Sequence, residues 1–184
     1  MRTRTYLVGI IAVPALLAAA VPLSFQPGSK VWVSGTSTVR SWRCESTQVG
    51  GNAQAGGTQL SQVSQGSGEI TIPLSTLDCR NGTMNGHMRN ALKASDNPTI
   101  RFRATSVAVS ADGAARMTGP LTIAGQTREV TINGTAASQS GRLRVTGTRQ
   151  LNMTDFGVQP PRLMAGTMRV NPAVTIGFDV VLGQ

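Results

Sequence analysis

The sequence is poor in the residues that carry most catalytic and metal chemistry. Its 184 positions include one histidine, His87, two cysteines and eight acidic side chains. A hydrolytic triad needs a histidine base oriented by a carboxylate. His87 would have to be that base, and no spacing ties Asp78, Asp96 or Asp155 to it. One histidine and two cysteines 35 residues apart do not make the nitrogen and sulfur set of a zinc site. No glycine-rich strand-to-helix fingerprint for phosphates is present. Aromatic residues are only 4% of the chain. That is too few to interleave stacking platforms with basic groups, as binders of single-stranded nucleic acid do. The basic residues are also scattered singly, so nucleic acid is not an expected partner.

The longest apolar run, residues 7–20, falls short of the ~20 residues a membrane helix needs. It follows Arg2 and Arg4 and ends in Ala18-Ala19-Ala20, an A-x-A-like cleavage site. Residues 1–20 therefore read as a secretory signal peptide, with a retained anchor as the weaker alternative. Of 17 basic residues, 15 remain without these two, against 8 acidic, a formal +7. Such a charge suits a solvated surface, and weak contact with an anionic membrane face is a secondary expectation. The expected location is periplasmic or extracellular. Cys44 and Cys79 form an even pair that an oxidising compartment can join, and no C-x-x-C suggests redox work. A structural disulfide is expected.

Residues 21–29, with Pro22 and Pro27, read as a flexible leader, and residues 30–184 as a single domain. Strands are expected at 30–35 and 38–47. The Gly-, Gln- and Ser-rich stretch 50–68 shows only a ragged strand around Leu60 and Val63. Residues 69–74 alternate, with Ile70, Ile72 and Leu74 on one face. Residues 83–94 are the one plausible helix, capped by Thr83 and stopped by Asn97-Pro98. Residues 99–109 alternate again through Ile100 and Phe102, with a change of parity near Ser106 that implies a bulge or burial of both faces. Met117, Gly119, Leu121 and Ile123 face one way, as do Val130 and Ile132 beyond a tight turn at Ala124-Gly125-Gln126. The two central turn residues are either Ala124-Gly125 or Gly125-Gln126. Leu143, Val145 and Leu151 mark a further strand, and residues 154–168 a loop with a short helical turn at Asp155-Phe156. Val174, Ile176, Phe178, Val180 and Leu182 form the cleanest row. Many short strands and a single helix argue for an all-β barrel or sandwich.

Gly119-x-Leu121-Thr122-Ile123-x-Gly125-x-Thr127-Arg128 stands after His87-Met88-Arg89 and Asn97-Pro98-Thr99-Ile100-x-Phe102, and before Asp155-Phe156-Gly157. In this order the segments resemble the YceI-like family, over about residues 31–182. The chain departs from the family pattern at Met84-Asn85, where an Arg-Asp pair is common. The resemblance implies an antiparallel, lipocalin-like barrel of about eight strands, with the helix near one mouth. It also implies a secreted bacterial protein that binds a polyisoprenoid, quinone-like or other lipid chain in its lumen; from the residues themselves, no other cofactor and no metal are expected. The inward rows would then line the ligand: Ile70, Ile72, Ile100 and Phe102; Leu121, Ile123, Val130 and Ile132; and Val145, Ile176 and Phe178. Met88 and Phe156 join them from the helix and the loop. Each of these could equally be ordinary core filling. An envelope-stress or structural barrel without a ligand is one alternative, and a hydrolase or isomerase centred on His87 another. Oligomeric state cannot be read from the sequence.

Overall fold

Antiparallel strands account for most of the chain in a computed structural model that describes residues 20–63 and 66–184. The expected signal peptide lies, apart from Ala20, outside the described residues. The strands are β1 (Val21–Phe25), β2 (Lys30–Ser37), β3 (Ser41–Ser46), β4 (Gly50–Ala55), β5 (Ser67–Pro73), β6 (Thr99–Ala104), β7 (Ser106–Val109), β8 (Ala114–Ile123), β9 (Gln126–Gln139), β10 (Arg142–Asn152), β11 (Arg162–Leu163) and β12 (Met168–Gly183). One helix, α1 (Gly82–Ala91), separates β5 from β6. Eight strands close a ring in the order β1-β4-β5-β6-β8-β9-β10-β12. β12 returns to β1 through Ser24↔Gly183 and Phe25↔Leu182. Closure satisfies backbone groups that an open sheet would leave at its edges. The fold is the expected lipocalin-like barrel.

The β8–β9 hairpin shows how local chemistry fixes register. Ile123 pairs with Gln126, so Ala124 and Gly125 are the central turn residues, at φ +49° and +79°. Two left-handed residues make the type I′ turn whose twist matches the flanking strands. The helix spans Gly82–Ala91 rather than 83–94, starting one residue and ending three residues earlier than expected. Asn81 rather than Thr83 is the cap, its side chain accepting from the Met84 backbone N–H at 3.0 Å. The parity change near Ser106 is a break between β6 and β7, with Thr105 between them.

Two expectations are corrected. Residues 21–25, taken for part of a flexible leader, are β1, paired with β4 and β12. Pro22 is tolerated because β12 joins β1 only from Ser24 onward, leaving no ladder on that side to interrupt. The stretch 50–68 holds a regular strand, β4, and Leu60–Gln62 form a 3-10 turn rather than a strand. The inward residues of β4 are Ala53 and Ala55, too small to stand out in a hydropathy pattern.

The interior divides along the barrel axis. In one half the lumen is packed, with Leu23, Phe102, Leu121, Ile132, Leu143 and Phe178 each 7% exposed or less. Ala53, Ala55, Ala104, Ala115 and Ala136 are buried among them, letting the walls close on the larger side chains. A Cβ at Gly147 would come within 2.9 Å of the Phe178 ring and 3.0 Å of Ile132, so the barrel is filled right up to the β10 backbone there.

On the outer wall, Asp179 is only 8% exposed and is gripped by Arg144. Nε donates to Oδ1 at 2.7 Å and Nη2 to Oδ2 at 2.6 Å. These bonds, aided by the charges of Arg144 and Lys30, hold the Asp179 carboxyl below the usual range. A depressed folded pKa adds stability above the unfolded value of ~3.9, and that stability is lost as pH falls through the folded value. Asp179→Asn is expected to lower the melting temperature at pH 7. Its deficit against the parent should shrink as pH drops below about 4, read by thermal scans across pH.

Candidate binding cavity

The other half of the barrel is splayed. β9 pairs with β10 only from Asn133 and Thr148 onward, and the gap beyond is wedged by a 3-10 turn, Met153–Phe156. Phe156 and Val158 are buried there, 2% and 4% exposed. On the opposite side β2 stays paired with β12, but their register shifts between Val170 and Val174. No ladder joins β3 to β5. The bridge Glu45↔Asp78, a hydrogen bond between the Ser46 and Thr76 hydroxyls at 2.7 Å and the Cys44–Cys79 disulfide hold the two walls together. The space left open is a cavity of about 660 Å³.

Val33, Trp42, Ile100, Ile123, Leu151, Val174 and Ile176 line it from the strands, and α1 covers it. Met84, His87, Met88 and Ala91 recur at helical spacing, so one face of α1 looks into the cavity. No residue of α1 is fully buried: Met84 and Met88 pack in part against Cys44, Leu74, Leu77 and Cys79 and otherwise face the cavity. The third wall is the loop 158–170, through Val158, Pro161, Leu163, Met164, Met168 and Val170. Five of the seven methionines line the cavity: Met84, Met88, Met153, Met164 and Met168. Unbranched, polarisable thioethers let such a wall reshape around a variable apolar guest. The polar members of the lining are few, and none is acidic.

Of the residues expected to line a ligand, Met88, Ile100, Ile123, Phe156 and Ile176 meet in this cavity. Ile70, Ile72, Phe102, Leu121, Ile132 and Phe178 enclose a void of about 80 Å³ further along the axis. Val145 borders another of about 90 Å³. Val130 is core, 7% exposed. The missed lining comes from α1 and the 158–170 segment and, in similar measure, from β2, β3, the cysteine-bearing walls and the ends of β10 and β12. Met84, Met88, Ala91 and Leu92 fall at helical spacing in the sequence, whereas Leu163, Met164 and Met168 carry no period.

Trp42 lies across the cavity wall with its ring against Gly35, where a Cβ would fall 2.6 Å from the indole. Its Nε1 is the one buried side-chain nitrogen or oxygen without a hydrogen-bond partner among the described residues. Gly35→Ala is therefore expected to displace the indole. In a Trp32→Phe background, the Trp42 emission maximum should shift. His87 makes no ion pair or hydrogen bond to a carboxylate among the described residues, so no acid orients it as a base. The disulfide expected from the cysteine count is formed, and both sulfur-bearing residues line the cavity.

Comparison with known proteins agrees with this architecture. The pattern of the YceI-like domain matches residues 28–182. A UPF0312 protein of Pseudomonas aeruginosa is 31% identical over 99 residues, covering 50% of this chain and 51% of its own length. A UPF0312 protein of Vibrio cholerae is 31% identical over 98 residues, 49% of this chain and 52% of that one. The matched region thus spans about half the length of these curated relatives. Among solved structures, BcnA of Burkholderia cenocepacia superposes with a TM-score of 0.71 at 21% identity, covering 83% of this chain and 95% of its own. A polyisoprenoid binding domain from Saccharophagus degradans, implicated in plant cell wall breakdown, gives 0.61 at 12% identity, with 88% and 97% coverage. The Campylobacter jejuni YCEI protein gives 0.53 at 13%, with 98% and 97%. With the barrel, its covering helix and the matched domain in agreement, the chain belongs to the YceI-like family.

Proposed function

We propose that this protein is a secreted or periplasmic carrier that holds a long apolar chain, of isoprenoid or similar lipid type, in the cavity beneath α1. The observation that carries the reading is the cavity itself, about 660 Å³ and walled by aliphatic, aromatic and methionine side chains. At ~30 Å³ per water-sized group, it has room for on the order of twenty such groups. Each methylene moved from water into it contributes about 0.8 kcal/mol, so affinity needs no array of polar anchors. The neighbour from Saccharophagus degradans, a polyisoprenoid binding domain, supports the ligand class. Export is supported by the disulfide and by the basic, apolar N-terminus, whose removal would leave the barrel. Among the described residues, no helix is long and apolar enough to cross a membrane.

The test is native mass spectrometry of the mature protein, followed by solvent extraction and identification of what is released. A stoichiometric apolar chain is expected. Protein isolated empty from its native compartment, and unable to take up a polyprenol offered in detergent, would overturn the proposal. His87 also lines the cavity, which gives the enzymatic alternative a point of attack. Turnover of an extracted lipid that is lost in His87→Ala would favour it.

A further inference from the structure

Two large apolar side chains stand in solvent among the described residues: Val39, 64% exposed, and Met164, 72% exposed. Both occupy loop tips at the same edge of the barrel. Val39 sits in the turn joining β2 to β3, and Met164 in the 3-10 turn Met164–Gly166 between β11 and β12. The two loops are fastened to each other. The Thr38 backbone N–H donates to the Arg169 carbonyl at 3.0 Å. The Thr38 hydroxyl donates to the Thr167 carbonyl at 3.1 Å and accepts from the Arg169 N–H at 3.2 Å. Together they form one rim of the cavity, since Ser37, Arg40, Leu163, Met164 and Met168 all line it.

The same rim is basic. Residues 36–41 and 159–172 include Arg40, Arg162 and Arg169 and no acidic residue. All three arginines are exposed, and none joins an ion pair among the described residues. Arg162 and Arg169 stand directly opposite each other across β11 and β12. Like charges in that position repel, and an external anion relieves the repulsion. Apolar tips flanked by arginine are the make-up of an interfacial membrane anchor. Two side chains are too small an apolar area for a stable protein interface, which buries ~800 Å² per partner.

We infer that this rim docks on an anionic lipid bilayer. Val39 and Met164 enter the interface, and Arg40, Arg162 and Arg169 meet headgroup phosphates. On the carrier reading proposed above, an apolar chain would then pass between bilayer and cavity without crossing water. The inference concerns the surface and stands whatever the cavity holds.

The test is co-sedimentation of the mature, delipidated protein with vesicles of phosphatidylcholine and phosphatidylglycerol, against vesicles of phosphatidylcholine alone. Partition into the anionic vesicles, weakened by added salt, is expected. The triple variant Arg40→Gln/Arg162→Gln/Arg169→Gln should lose on the order of 100-fold in partition, and Val39→Ser/Met164→Ser at least tenfold. A control with the same charge change on other exposed positions, Arg103→Gln/Arg116→Gln/Arg142→Gln, should stay within about threefold of the parent if position rather than net charge decides. Circular dichroism shows that each variant is folded. No partition into anionic vesicles, or equal losses for rim and control variants, overturns the inference. If vesicles bind while no lipid is found in the cavity, the carrier proposal fails and the docking surface stands.

Discussion

Ala91→Trp should abolish lipid co-purification while leaving the melting temperature unchanged or higher. Ala91 sits in the last turn of α1 and looks into the cavity. A tryptophan there projects a ring into space that a guest chain would use. Large side chains forced into a packed core cost ~1–3 kcal/mol, but the 660 Å³ below α1 leaves room for the ring. Burying it adds favourable apolar area instead, at ~25 cal/mol per Å². Binding and stability should therefore move in opposite directions, which general damage to the fold would not produce. Asn90→Trp, one residue earlier on the exposed side of α1, is the matched control and should retain lipid. The ratio of extracted lipid to protein is the readout, with at least a tenfold fall expected for Ala91→Trp. Full occupancy in that variant would mean that the guest lies elsewhere.

The contrast between the two halves of the lumen also explains which parts of this protein are readable from its residues. β8, β9 and the end of β12 announce themselves, because Leu121, Ile123, Val130, Ile132, Phe178 and Val180 alternate with polar neighbours. β4 is hidden because its inward side chains are alanines, and β1 because Pro22 reads as a loop signal. Inward direction is a property of period 2, and it holds for Phe102 as for Ile100. Whether an inward residue meets another side chain or an open space is a property of strand separation. That separation depends on where β9 leaves β10, on the irregularity in β12 between Val170 and Val174, and on the missing ladder between β3 and β5. None of these is a local pattern. Hence alternation groups Ile100 and Ile176 with Phe102 and Phe178, although only the first two reach the large cavity. The helix is the exception. Its apolar face was legible, and a face with no fully buried residue is what marks a covering element.

Removing the disulfide by Cys44→Ala/Cys79→Ala is expected to lower stability by roughly 3–4 kcal/mol, from the chain-entropy cost of freeing a 35-residue loop. At ~2–4 °C per kcal/mol for a domain of this size, the melting temperature should fall by roughly 6–16 °C. The loss should not be spread evenly. Outside the disulfide, β3 meets the segment before α1 through Glu45 and Asp78, each donating its N–H to the other's carbonyl at 2.9 Å, and through the Ser46 and Thr76 hydroxyls, 2.7 Å apart. From there the chain is coupled to the helix, because the Cys79 N–H donates to Asn85 Oδ1 at 2.7 Å and Asn85 Nδ2 donates to Asp78 Oδ1 at 2.9 Å. The disulfide thus anchors the roof of the cavity, while the ring of strands from β8 through β12 is held by its own ladders. Hydrogen exchange in the double variant should therefore rise first at amides of α1 and residues 77–81, with β9 and β10 protected until global unfolding. Lipid retention should drop with the α1 protection, at temperatures where the barrel is still folded. Uniform loss of protection across α1 and β10 would show instead that roof and barrel unfold as one unit, and the splayed half could not then open independently to admit a guest.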